Sequence, residues 1–106
     1  MKIPSHPLCN LTRVTADVAI SGLAGRRVFR VELYATSDAC NIELHDAANG
    51  SGTEVWKGVA PFTGANGGGA QSMVWDWTHL GGIPFPTTGI YADITGTDAV
   101  AFVWWQ

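Results

Sequence analysis

This chain carries little charge. Asp, Glu, Lys and Arg together make up 14% of its 106 residues, against roughly 25% in ordinary soluble domains. Six basic side chains stand against nine acidic ones, for a formal net charge of -3. No basic field is available to neutralise phosphates, so nucleic acid is not expected as a partner. Long apolar runs are missing too: none approaches the roughly eighteen residues of a membrane-crossing helix. No basic stretch followed by an apolar one marks a secretion signal. The expectation is a soluble protein made in a cytoplasm, with no membrane partner.

Cysteine is scarce, with Cys9 and Cys40 alone. Two isolated cysteines permit one disulfide without announcing it, and both are expected to be reduced thiols. Without CxxC spacing they do not suggest a metal site. Nucleotide-binding glycine motifs, HExxH and GxSxG are absent as well. The three histidines, His6, His45 and His79, lie on separate segments. His45 and Asp46 are neighbours, but adjacent strand residues point to opposite faces. Asp76 and His79 lack a positioned nucleophile. No catalytic residue, cofactor or metal is therefore assigned, and the chain does not read as an enzyme. Asp46, Asn49 and Ser51 offer oxygens to a calcium ion, but not in EF-hand order; a turn is the simpler reading. Asp76, Asp93 and Asp98 border loops, where Asx hydrogen bonds to backbone amides are common.

What is present is strand pattern. Val14, Ala16, Val18 and Ile20 alternate with polar residues from Leu11 onward, and Arg26 to Ala35 places Phe29, Val31, Leu33 and Ala35 on one side with Arg30, Glu32 and Tyr34 on the other. Cys40, Ile42 and Leu44 face one way, against Asn41, Glu43 and His45. Asn49-Gly50 is a strong hairpin signal. Thr53 to Val59 and Ser72 to Thr78 follow as short strands, separated by a glycine-rich loop over 61–71. In the first, Val55, Lys57 and Val59 oppose Trp56; in the second, Met73, Trp75 and Trp77 share a side that looks like core. The last residues read as a hairpin of Gly89–Thr95 and Ala99–Trp105 around Gly96-Thr97-Asp98. Its second strand is apolar on both faces, which calls for cover on both sides, from a central place in a sheet or from another chain.

With no helical window and seven to eight short strands at about ten-residue spacing, the fold class is all-β. An antiparallel β-sandwich or jelly roll is expected. Residues 11–106 form one domain, large enough for a single core. Residues 1–10, with Pro4 and Pro7, form an extended arm.

Five tryptophans (Trp56, Trp75, Trp77, Trp104 and Trp105) in so short a chain are the signal furthest above background. Two or three pack the core. Trp is also enriched at the centres of protein interfaces, and flat indoles stack on sugars. For subunit or partner contact the candidates are Pro4, Pro7, Leu8, Phe102, Trp104 and Trp105. For glycan stacking, the alternative, they are Trp56 and Trp104.

The segment LHDAANGSGTEVWKG (44–58), followed by GGIPFPTTGIYADITGTDAVAFVWWQ (81–106), resembles small virion proteins of tailed bacteriophages. The matching residues are Leu44, Asp46, Ser51-Gly52, Gly82-Ile83, Phe85, Thr88-Gly89-Ile90-Tyr91, Asp93 and Gly96-Thr97. The resemblance covers about the C-terminal two-thirds and includes no catalytic motif. It implies a head decoration (cement) protein: a homo-oligomer, with a trimer favoured, that binds the major capsid protein on the virion surface and stabilises the shell. The alternative is a carbohydrate-binding module or head-surface adhesin.

Overall fold

The computed structural model describes residues 9–61 and 72–106. Its strands are β1 (Asn10–Val14), β2 (Val18–Ser21), β3 (Arg26–Tyr34), β4 (Cys40–Asp46), β5 (Thr53–Ala60), β6 (Ser72–Asp76), β7 (Ile83–Phe85), β8 (Ile90–Thr95) and β9 (Val100–Trp105). A single 3-10 turn, Thr78–Leu80, is the one helical element among the described residues. All pairings are antiparallel. One sheet runs β1-β9-β3-β6 with β7 also along β3, and the other runs β2-β8-β4-β5. β6 pairs with the second half of β3 and β7 with its beginning. They thus act as two halves of one interrupted strand, and the two sheets have jelly-roll order.

The core lies between the sheets. Val14, Val31, Leu33, Ala101 and Val103 from the first meet Cys40, Ile42, Leu44, Ile90 and Ala92 from the second, all buried. Phe85, wholly buried, is the largest of these side chains, and burying such a residue stabilises the fold by roughly 1.5–3 kcal/mol. Cys9 and Cys40 are free thiols, and burial raises the pKa of both.

Several local expectations change. The Leu11–Ile20 run is two strands in different sheets, broken at Thr15, Ala16 and Asp17. The Asp17 carboxylate accepts the Ile94 amide at 2.9 Å and so ties that corner down. Together with the short β7, the break raises the strand count to nine. The 89–105 hairpin is instead an arch: β8 lies in one sheet and β9 in the other. Each strand sends one apolar face, Ile90 and Ala92 or Ala101 and Val103, into the core between the sheets. Left-handed backbone at Gly96 (φ 127°) and Asp98 (φ 54°) turns the chain between layers. The Asn49-Gly50 hairpin does form, joining β4 to β5.

A bulge between Val28 and Arg30 corrects the reading of β3. It brings Val28 into the core and makes Phe29 the extra residue; Phe29 is buried as expected, 6% exposed, but lies outside the main cluster with its ring against Gly82. A Cβ at Gly82 would lie 3.0 Å from that ring. Met73, expected inside, is exposed. Asn10, expected in the arm, pairs with Trp105. Pro4, Pro7 and Leu8 lie outside the described residues, as does nearly all of the glycine-rich loop.

Candidate functional site

The outer face of the first sheet is built by alternation. In β9 the residues facing away from the core are Val100, Phe102 and Trp104, since Ala101 and Val103 face in. Strand register extends this face into rows. Leu11, Trp104, Arg30 and Asp76 form one row across the four strands, and Arg13, Phe102, Glu32 and Val74 form the next. Val100, Tyr34 and Ser72 make a third.

Polar contacts hold the middle of this surface. The Arg30 guanidinium donates to Glu32 at 2.6 and 3.0 Å and to Asp76 at 3.2 Å. It also sits 5.4 Å from the Trp104 ring centre, at cation–π range. The Tyr34 hydroxyl donates to the other Glu32 oxygen at 2.6 Å. These bonds from Tyr34 and then Arg30 hold the Glu32 carboxyl below the ordinary glutamate range. Phe102 meets Tyr34 edge-to-face, with ring centres 5.9 Å apart, and lies 6.4 Å from Trp104. The result is a fixed ladder of paired charges bordered by apolar groups: Leu11 is 55% exposed and Val74 48%. Chemically this surface can bind.

The structure brings together two of the predicted contact residues, Phe102 and Trp104. Trp105 points the other way. It packs against the core and donates its indole N–H to Thr12 Oγ1 at 2.9 Å, so it does not belong to this surface. Trp56 also leaves the candidate set as a flat platform. Its ring is wedged edge-to-face between Trp75 and Trp77, with centres 4.8 and 5.0 Å away. This trio bridges the two sheets at their β5 and β6 edges. Gly58 makes room for it, because a Cβ there would lie 2.5 Å from Trp56 and 2.7 Å from Trp75.

The face also contains residues that were not singled out from sequence. Leu11, Arg30, Glu32, Tyr34 and Val74 join it through register between strands distant in the chain. The outward alternation of Arg30, Glu32 and Tyr34 was visible; their alignment with Trp104 was not.

The loop oxygens behave as turn chemistry. Asn49 Oδ1 accepts from the Ser51 amide at 3.0 Å and from its hydroxyl. The Asp46 carboxylate accepts the Thr87, Thr88 and Gly89 amides at 2.9, 2.7 and 3.1 Å. Burial pushes the Asp46 pKa up, but these amides outweigh it and the net shift is downward. Asp76 Oδ1 accepts the Thr78 amide at 2.8 Å, an Asx turn at the start of the 3-10 segment.

Comparison of the chain with known protein families, with curated proteins and with solved structures finds no match.

Proposed function

We propose that the chain is a structural assembly module whose outer β1-β9-β3-β6 face is its docking surface, serving as a head decoration (cement) protein of a tailed phage. On this reading it forms a homo-oligomer, with a trimer favoured, and binds the major capsid protein at the head exterior. The observation that carries the proposal is the aromatic and aliphatic patch of Leu11, Trp104 and Phe102, from two adjacent rows on the outer face of the first sheet. A sheet face whose central Arg30, Glu32 and Asp76 are paired with one another and whose aromatics lie at the surface suits a contact, with Arg13 as the charge a partner would have to meet. The jelly-roll order is compatible with this role, since capsid proteins and lectins both use it. The resemblance of residues 44–58 and 81–106 to small virion proteins supplies the phage setting. Added contacts across capsomer joints would stabilise the shell in proportion to occupancy.

The test is solution mass by light scattering, with acrylamide quenching of tryptophan on the same sample, followed by binding to purified heads. A closed oligomer with shielded tryptophan that adds to the heads supports the proposal. A monomer that leaves heads unchanged ends it. The second reading, glycan binding, rests on Trp104 having Arg30 and Asp76 beside it in one row. A glycan array on the monomer decides that reading.

A further inference from the structure

The outer face of the other sheet carries an unrelated cluster. Glu43 on β4 and Asp93 on β8 are cross-strand partners. His45, two residues beyond Glu43, projects from the same face. One ligand atom from each of the three lies within 4.8 Å of the others. His45 is the one buried polar or charged residue among the described residues, 5% exposed. The β4–β5 loop approaches this cluster: a Cβ on Gly50 would stand 3.4 Å from Asp93 Oδ2.

The hydrogen bonding of His45 leaves a mismatch. Nδ1 lies 3.0 Å from the Gly52 carbonyl, which can only accept, so Nδ1 carries a proton. A neutral ring then presents a lone pair at Nε2. The group facing that lone pair, at 3.1 Å, is Glu43 Oε1, another acceptor. Something positive is needed between them. The surroundings are short of positive charge as well. The ammonium paired with Glu43 is that of Lys57, half-exposed and 3.6 Å from Oε2. A proton on Nε2 would settle the His45–Glu43 contact alone. A metal ion would satisfy Nε2 and both carboxylates together.

We propose that Glu43, His45 and Asp93 form a binding site for a divalent cation of the zinc class. An imidazole whose Nδ1–H is held by a backbone carbonyl is oriented as metal-ligating histidines usually are, with Nε2 free to coordinate. One imidazole with two carboxylates suits zinc and its neighbours over calcium and magnesium, which prefer all-oxygen sets. Bonds of about 2.0–2.2 Å require the three side chains to draw inward. Glu43 and Asp93, only half-buried, have freedom to do so, while His45 is already fixed. The site joins β4 to β8 across the middle of the sheet, so an ion there would brace the sandwich independently of the docking face.

The experiment is calorimetric titration of chelator-treated protein with zinc chloride alone, with calcium and magnesium chloride run in parallel. Glu43→Gln and Asp93→Asn keep side-chain shape and remove charge. Cys9→Ser and His79→Ala remove other donors. The expected result is one zinc per chain, little response to calcium or magnesium, at least tenfold weaker binding in each carboxylate variant, and unchanged affinity in the two controls. Imidazole nitrogen NMR of the wild type gives a second readout: zinc should shift the His45 Nε2 resonance to a coordinated position while Nδ1 keeps its proton. Absence of zinc binding, equal affinity in the carboxylate variants, loss of binding in a control, or a protonated Nε2 in saturating zinc would each overturn the proposal.

Discussion

Trp104→Ala would separate the proposed docking role of the outer face from its part in folding. Within the monomer the ring contributes a cation–π contact with Arg30, worth about 0.5–1 kcal/mol at an exposed site. The contact with Phe102 is distant, 6.4 Å between centres and tilted by 43°. One side of the ring faces away from the core and is only half-buried, so its truncation removes a fraction of a core tryptophan's burial. The unfolding free energy should fall by about 1–2 kcal/mol, well short of the roughly 3–5 kcal/mol of a core aromatic. At the centre of an interface, by contrast, an aromatic anchor costs about 2 kcal/mol or more, a roughly thirtyfold loss of affinity. Urea unfolding gives the first quantity, and light scattering across a dilution series gives the second. The reasoning predicts a folded chain of lower mass. It is refuted if Trp104→Ala unfolds the protein as a core substitution would, or if the variant's dissociation midpoint on dilution equals that of the wild type.

Three further outcomes follow from the packing and the charges. Gly58→Ala should lower stability by about 1–3 kcal/mol through overpacking and perturb the near-ultraviolet circular dichroism of the Trp56–Trp75–Trp77 trio; a wild-type melting curve would contradict the contacts drawn there. Phe85→Ala should cost about 3–5 kcal/mol in a denaturant titration, with no effect on oligomer affinity among molecules that remain folded. Glu32 is held below its ordinary pKa by Tyr34 and Arg30. Its contribution to stability should thus be complete above the unfolded-state glutamate value of about 4.3 and be lost as pH falls through the lower folded-state value. Glu32→Gln should flatten that part of the acid-unfolding curve; an unchanged curve would remove Glu32 from the account.

Sequence alone determined the all-β class and the way most side chains face. Period-two alternation is a property of a single strand, so Val31 and Leu33 could be placed inward and Arg30, Glu32 and Tyr34 outward before any partner was known. The β4–β5 hairpin was legible because Asn49-Gly50 encodes its turn locally. The two apolar faces of residues 100–105 were visible too, and β9 does occupy a central position, with one face in the core. Tertiary structure decided everything that depends on which strand meets which. Residues 90–95 and 100–105 resemble a hairpin in sequence, yet they join opposite sheets, each burying one apolar face in the shared core. The bulge at Val28–Arg30 shifts the side-chain faces by one residue, which no pattern within β3 announces. Glu43 and Asp93, fifty residues apart, meet only through the β4–β8 register, as Trp104 meets Arg30 only through β9 and β3. Facing direction is set by backbone geometry one residue at a time, whereas strand partnership is set by burial over the whole chain.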